Sequence, residues 1–470
     1  MSDAKVFIQT LFDNKNIKTD ATKPSVFEEF VSDEANVLLV NEISRNEKML
    51  LEKWRIKNRL GEIARQQVLI PNATVGKSYT AVMDLAQLGW ADLSDYALTA
   101  VGEMPGLTVG ADNLSVNGIP SVSGEIRFVF AFRIQGETMD SPLHEKAITL
   151  TINPDPKTLW KNKPGDREAK YWKEEDVAQS DGFGERNIVV VSKRGRSHAN
   201  SGTFRDDDFA YKHFNNNGWS VVAVSDGAGS AHLSRKGSQL ACAAVIDFVA
   251  GYFTVDVATS FDIVISTFKK EGGEENQKKL SQLIYDCLSK AAWAAHQQIL
   301  NLSKETGDAL KDFHSTLIFT LFKKYEFGYA FLSFGVGDCP IGLISKDLTE
   351  VTLMNWLDVG EYGGGTRFIT MPEIFTSDKF ATRFKFKLVE DFAYLMMMTD
   401  GVYDPKFVVE ANLEKAENWR SFISDIEGNN DDGIKVEFKT GNADVAQQLS
   451  LWMDFWSAGN HDDRTLAIVF

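Results

Sequence analysis

Between about residues 24 and 67, apolar positions recur at helical spacing. Pro24-Ser25-Val26-Phe27-Glu28-Glu29-Phe30 opens with a proline and acids, as helix starts do, and the run from Asn41-Glu42-Ile43 to Arg65 interleaves apolar residues with Lys, Arg and Glu. This predicts a helical N-terminal segment, residues 1–67, that is either a docking segment for a partner or a cap packed on its own chain. From 68 to 153 the period shortens to two. Pro105-Gly106-Leu107-Thr108-Val109, Leu114 to Pro120, Ser123-Gly124-Glu125-Ile126-Arg127-Phe128-Val129-Phe130 and Ala147 to Ile152 alternate in the manner of half-buried strands, with Gly- and Pro-bearing turns between them. Residues 154–182 begin Pro154-Asp155-Pro156 and are rich in Lys, Asp and Glu, so they read as a linker whose Trp160, Tyr171 and Trp172 pack against a domain.

Residues 183–470 combine both periods. Ser234 to Phe248 and Leu280 to Leu302 are helical in pattern, and their alanine-rich faces (Ala241, Ala243, Ala244; Ala291, Ala292, Ala294, Ala295) are small enough to lie close on a sheet. Five short apolar runs are each abutted by acids. Trp219 to Val224 precedes Ser225-Asp226-Gly227, Ala330 to Phe334 precedes Gly337-Asp338, and Ala393 to Met398 precedes Thr399-Asp400-Gly401. The order reverses at Asp206-Asp207-Asp208, which precedes Phe209-Ala210-Tyr211, and at Asp462-Asp463, which precedes Leu466 to Phe470. In antiparallel pairing the end of one strand lies beside the start of its neighbour, so acids after some strands and before others converge on one edge. Converging carboxylates repel unless a cation sits among them, and oxygen donors without a His or Cys cluster suit hard divalent cations such as Mg²⁺ or Mn²⁺. Singly, each Asp-Gly is as readily a turn: the chain has four, and Asp181-Gly182 and Asp432-Gly433 lie in polar stretches. The shared order, each motif against its own strand, favours a metal-binding edge. Residues 355–385, with Gly363-Gly364-Gly365, form either a flap near that edge or a surface loop.

Composition narrows the classes. With 470 residues, 43% apolar and 11% aromatic, the chain builds more than one packed core. A net charge of −16 excludes a nucleic-acid surface and an anionic-membrane surface, both of which require a basic face. Met1-Ser2-Asp3-Ala4-Lys5 leads into no long apolar segment, and no later run approaches the roughly 20 residues that span a bilayer. Three scattered cysteines, Cys242, Cys287 and Cys339, suit a reducing compartment, so the expected location is cytoplasmic.

Residues 183–470 resemble the metal-dependent protein phosphatases of the PP2C type, in the bacterial branch that has a Ser-His start and an Asp-Gly-Ala-Gly-Ser turn. The matching residues are Gly195-Arg196-Ser197-His198, Arg205 to Phe209, Ser225-Asp226-Gly227-Ala228-Gly229-Ser230, His314-Ser315-Thr316-Leu317, Phe334 to Asp338, Gly360-Glu361-Tyr362, Met398 to Gly401 and Asp462 to Leu466. The resemblance implies an α+β fold, an αββα sandwich of two antiparallel sheets flanked by helices. It implies hydrolysis of phosphoserine and phosphothreonine by a water that bridges two ions, Mn²⁺ or Mg²⁺, held about 3.5 to 4 Å apart. Asp226 then bridges the ions with the Gly227 carbonyl beside it, Asp400 and Asp462 complete the ligand set of the second ion, Asp207 orients the metal-bound water, and Asp338 with Asp404 holds a weaker third ion. Ala228 stands where eukaryotic members have a His, so a metal-bound water, His198 or His232 protonates the leaving group, His198 being the better fit. Thr203 stands where the family's phosphate-binding Arg falls, so Arg196 or Arg205 substitutes for it. Cys339 takes a position that is usually Ser, and reads as a small buried thiol.

Residues 68–153 resemble a bacterial immunoglobulin-like module of the putative-Ig type, on the strength of the Pro-Gly-Leu, Gly-x-Pro and Ser-Gly turns. Expected partners are a phosphoprotein, a Ser/Thr kinase as counterpart and a von Willebrand A-type protein. The competing expectation is a PP2C-like scaffold without turnover. A phosphatase of the aspartyl-phosphate type fits poorly, because Asp206-Asp207-Asp208 precedes its strand and lacks the required Thr.

Overall fold

The computed structural model describes residues 3–19, 24–358 and 365–470. They form two compact units, Met1–Leu159 and Trp160–Phe470.

The first unit starts with α1 (Asp3–Asn14), α2 (Pro24–Ser32) and α3 (Glu34–Arg65). Helix α1 lies within the expected helical segment, with Ala4, Ile8 and Phe12 on one face; the first two are buried, together with Val31 and Val40, where the three helices meet. The side chain of Asp33 caps α3 by accepting from Ala35 N and Asn36 N. Seven strands follow in two sheets. One has the order β1 (Ala73–Thr74), β7 (His144–Asn153), β6 (Gly124–Ile134), β3 (Leu93–Val101), and the other β2 (Tyr79–Val82), β5 (Ser115–Gly118), β4 (Leu107–Val109). Alternate residues of β6, from Ile126 to Ile134, fill the core with Ile148, Leu150 and Ile152 of β7 and with Trp90. The last turns of α3 close that core through Ile63. Arg59 pairs with both Asp92 oxygens at 2.9 and 2.8 Å, and Lys146 Nζ donates to the carbonyls of Ile63 and Ala64 at the helix end. A short turn of helix, α4 (Pro156–Leu159), ends the unit.

In the second unit every strand pairing is antiparallel. Five strands have the order β10 (Asp208–His213), β11 (Trp219–Ser225), β12 (Leu317–Tyr325), β13 (Gly328–Val336), β16 (Phe384–Val389). Six have the order β15 (Val351–Leu353), β14 (Ile341–Ser345), β17 (Phe392–Met398), β18 (Arg464–Val469), β9 (Arg186–Lys193), β8 (Asp176–Phe183). Val222, Val224, Ile318 and Phe331 of the first sheet meet Ile188, Val190, Leu395 and Ala467 of the second in a shared core. The alternate residues face outward. Val221, Ala223 and Phe319 lie under α6 (Ser234–Tyr252), α7 (Val255–Glu271) and α8 (Glu274–Thr306). Val189, Met396 and Ile468 lie under α10 (Asp400–Phe407), α11 (Ala416–Ile426) and α12 (Val445–Trp452). Burial on both faces is why these strands are continuous apolar runs in sequence rather than alternating ones. The result is helix, sheet, sheet, helix.

The stretch expected to be a linker carries structure. Asp176–Phe183 is the edge strand β8, polar because an edge strand is half solvated, and Lys173 is buried beside Asp208. Within residues 355–385, Ile369, Ile374 of α9 (Glu373–Thr376) and Phe380 are buried, so this part of the expected flap is packed. Gly360, Glu361, Tyr362, Gly363 and Gly364 lie outside the described residues. Among the described residues no single helix is long and apolar enough to cross a membrane; α6 and α7 pass together but are bent by 90° and belong to the core.

Candidate metal centre

Strand register brings the acids together. Asp208 pairs with Ser225, so Asp206 and Asp207 at the start of β10 lie beside Asp226 at the end of β11. Asp226 is fixed by its neighbour strand: its N donates to Thr316 Oγ1 at 2.8 Å, and its carbonyl accepts from Thr316 N at 2.8 Å. In the other sheet Met398 pairs with Leu466 and Arg464 with Lys193, which sets Asp400, Asp462-Asp463 and the Gly195-to-His198 turn side by side. Two glycines permit this crowding. A Cβ on Gly227 would lie 2.5 Å from Asp206 O, and one on Gly401 1.9 Å from Asp463 O.

One carboxylate joins the two sheets. Asp207 is 1% exposed, and its Oδ2 accepts from Thr399 Oγ1 and Thr465 Oγ1, both at 2.8 Å. Thr465 Oγ1 accepts in turn from Ser192 Oγ at 2.7 Å. Arg205 completes this network, donating to Ser192 Oγ at 2.6 Å and to Asp207 O at 2.8 Å; at 3% exposure it positions Asp207 and presents no face to a phosphate. Arg196, the other candidate, lies over Trp456 at 5.2 Å and donates to Asp454 O at 2.6 Å.

Asp463 is a clamp rather than a free ligand. It accepts from Gly195 N, Asp206 N and His198 Nδ1, and these bonds hold its carboxyl below the usual range despite burial. His198 donates to Asp463 at 3.0 Å and keeps Nε2 3.8 Å from Asp206 Oδ2. Burial disfavours its charge, but the bond to Asp463 and the charges of Asp463, Asp206 and Asp462 prevail and hold its pKa at about 9.

The remaining acids push one another up. Burial first, then Asp400, Asp207, Asp462 and Asp338, raise Asp226; burial with Asp462 and Asp338 raises Asp400 to about 7. Burial and neighbouring acids likewise raise Asp207, Asp206 (to about 6), Asp462, Asp338 and Asp404. After burial the largest influences on Asp226 and Asp400 are other carboxylates, and Asp400 Oδ1 is buried without a hydrogen-bond partner among the described residues. An oxygen-only set with surplus negative charge and an orphaned acceptor has the donor chemistry of a hard divalent cation site.

Two supports were not legible in sequence. Lys173 Nζ donates to Asp208 Oδ2 at 2.9 Å and Asp207 O at 2.6 Å, which neutralises Asp208 and removes it from the open cluster. Asp358 accepts from Gly337 N at 2.8 Å and from both Arg383 Nη atoms at 2.6 and 2.9 Å, which fixes the turn carrying Asp338. Nothing near Lys173 or Arg383 in the sequence marks them as acid partners. The threonines at 399 and 465 had a signal: Thr399 directly precedes Asp400 and Thr465 stands two residues after Asp463, at facing strand ends.

The solved structures similar to this chain include the catalytic domain of the serine threonine protein phosphatase PstP in complex with 2 manganese ions (14% identity, 63% of this chain and 98% of that one, TM-score 0.33). They also include the serine/threonine phosphatase Stp1 from Staphylococcus aureus (14%, 64% and 98%, TM-score 0.31) and RsbX in complex with magnesium (15%, 62% and 98%, TM-score 0.32). No curated protein matches the sequence. The family model described as "Protein phosphatase 2C" matches residues 194–450, more than half of the chain. The chain belongs to the protein phosphatase 2C family. Within this PP2C unit, Asp207, Asp226, Asp400, Asp462, Asp338 and Asp404 lie at one end of the two sheets, with His198 at the rim beside Asp206.

Proposed function

We propose that the chain is a protein serine/threonine phosphatase that works with two divalent cations, Mn²⁺ or Mg²⁺. The observation that carries this reading is the buried carboxylate cluster around Asp226, where the acids raise one another and Asp400 Oδ1 is buried without a hydrogen-bond partner among the described residues, in a chain of the PP2C family. Asp226, the Gly227 carbonyl, Asp400 and Asp462 are the residues that would hold the ions, with Asp338 and Asp404 for a weaker third. Bound there, the cations would supply a water of lowered pKa and neutralise the phosphoryl oxygens for in-line displacement. Asp207, its Oδ2 held by two hydroxyls, orients the attacking water through Oδ1. His198 Nε2 gives its proton to the departing serine or threonine oxygen, and Asp463 keeps that ring charged and aimed. Water adds to phosphorus, the P–O bond to the side chain breaks, and inorganic phosphate and the alcohol leave.

The substrate under this reading is a phosphoprotein, with a Ser/Thr kinase as physiological counterpart, a von Willebrand A-type protein as a further partner, and the cytoplasm as location. The β-module of 68–153 serves as an immunoglobulin-like spacer or recruiter; its two sheets of four and three strands support that assignment. The direct test is hydrolysis of an aryl phosphate with and without Mn²⁺, together with cation titration by calorimetry. Activity that needs Mn²⁺ and falls at least about 10²-fold in Asp226→Asn is expected. Metal-independent turnover, or a protein that binds no ions, sinks the reading, the second outcome in favour of a scaffold.

A further inference from the structure

The helix that carries His198 cannot hold itself. Helix α5 (Arg196–Ser201) has six residues, too few to form in isolation, and no side chain caps its start at Gly195. Its backbone groups are met from outside instead. At the first turn His461 O accepts from Ser197 N at 3.1 Å, and at the last Ala199 O accepts from Lys163 N at 2.8 Å. The side chain of Asn200 accepts from Lys161 N at 3.2 Å. The stretch Trp160-Lys161-Asn162-Lys163-Pro164-Gly165, which has no regular secondary structure, therefore lies along α5 as a strap.

Three further ties fix the strap. At its start the Trp160 ring lies 4.3 Å from that of His461, whose other neighbour is Trp456 at 5.1 Å, and the Arg196 guanidinium covers Trp456 at 5.2 Å. One row of rings thus joins the first residue of the strap to the first residue of α5. In the middle, Asn162 Oδ1 accepts from Arg194 Nη2 at 2.7 Å, while Arg194 Nη1 donates to Thr203 O at 2.9 Å, just past the end of the helix. At its end, Gly165 N donates to Glu175 Oε1 at 3.0 Å, and the other oxygen of Glu175 pairs with Arg194 at 2.9 Å. The Arg194 side chain is 2% exposed, so the link between strap and helix is charged and closed to water.

The ring of His198 needs that support. Its Nδ1 is bonded to Asp463 and its Nε2 stands 3.8 Å from Asp206 Oδ2, too far for a hydrogen bond, so the ring is held at one point and its aim follows the tilt of α5. We infer that Trp160 is a positioning residue for the leaving-group proton: through His461 and the strap it sets the tilt of α5 and with it the direction of His198 Nε2. The inference rests on the phosphatase reading, in which Nε2 passes its proton to the departing serine oxygen as the P–O bond breaks and the ring is left neutral. The strap lies outside residues 194–450, the segment that the family model matches.

Two measurements on the full chain test it. The first, at Mn²⁺ concentrations that saturate each variant, is the ratio of kcat on a phosphoserine peptide to kcat on an activated aryl phosphate, because only the alkoxide of the peptide needs the proton. Trp160→Ala is expected to lower this ratio at least about tenfold, the cost of a misaimed catalytic group, and Trp160→Phe, which keeps a ring on His461, to restore most of it. In the His198→Gln background Trp160→Ala is expected to lower the ratio no further, since a residue that acts through His198 has nothing left to aim. The second measurement is hydrogen exchange of the metal-free protein by mass spectrometry. Residues 196–201 are expected to exchange at least about tenfold faster in Trp160→Ala, while β18 keeps its native protection. A ratio that Trp160→Ala leaves at the native value, a fall of equal size with and without His198, or native exchange at 196–201 overturns the inference. Exchange that quickens in β18 as well marks a general loss of the fold and overturns it too. A native protein without metal-dependent turnover fails differently: it sinks the phosphatase reading, and this role of Trp160 with it, whatever the exchange shows.

Discussion

At the scale of single residues, the site separates acids that look alike in sequence. Asp206, Asp207 and Asp208 are consecutive, yet each has a different environment. Asp208 is neutralised by Lys173, Asp207 is tied across the sheets by Thr399 and Thr465, and Asp206 faces His198. The same holds for Asp462, which stays in the open cluster, and Asp463, which three N–H donors consume. The environment of His198 makes a prediction. A ring held protonated by Asp463 matters where the leaving group needs a proton. His198→Gln is expected to lower kcat about 10²-fold on a phosphoserine peptide, whose alkoxide leaves poorly, and to change little on an activated aryl phosphate, whose phenolate leaves unaided. Steady-state kinetics on both substrates checks this; equal losses would make His198 only a support for Asp463.

At the scale of elements, the strand ends were legible because each apolar run is interrupted by an acid at the position where the strand stops, as at Val224-Ser225-Asp226 and Met398-Thr399-Asp400. Edge strand β8 was not, because half of an edge strand is solvated and its sequence reads as loop. Nor was the packing of residues 365–385, which depends on partners far away in the chain. His296 on α8 is one of these: its Nδ1 donates to Ile369 O at 2.9 Å, and its ring lies 5.2 Å from both Trp293 and Phe375. Burial lowers its pKa, so the unfolded chain takes up this proton first on acidification. The stability from the neutral ring is therefore whole above the unfolded value of about 6.5 and is lost as pH falls through the lower folded value. His213 and His314 are lowered by burial in the same direction. Thermal unfolding is expected to show a drop in Tm between about pH 7.5 and 5.5 that is shallower in His296→Asn, which keeps an N–H donor but cannot charge. Equal slopes in the two proteins would mean that α8 does not sense pH.

At the scale of the whole molecule, the family match begins at 194, but the fold does not. Strand β9 precedes that point and pairs with β18 from Ile188 to Lys193, so the turn at Gly195 that clamps Asp463 hangs from it. Strand β8 pairs with β9 along its full length, from Asp176 to Phe183, and covers what would otherwise be a row of unpaired backbone groups. Before β8, Glu175 accepts from Gly165 N at 3.0 Å, and Lys173 reaches Asp208 and the Asp207 carbonyl at the carboxylate edge. Removing residues before 184 thus strips an edge strand and leaves Asp208 buried without its cation, a loss of several kcal/mol by the usual cost of breaking a buried pair, about 3–5 kcal/mol. A fragment of residues 160–470 retains all of these contacts and the three apolar layers. It is therefore expected to fold and to hydrolyse aryl phosphate at a rate close to that of the full chain, whereas a fragment of 184–470 is expected to be insoluble or to lack a cooperative transition. Calorimetry and turnover on the two fragments decide it: an active, cooperatively folded 184–470 would mean that Lys173 and β8 are dispensable.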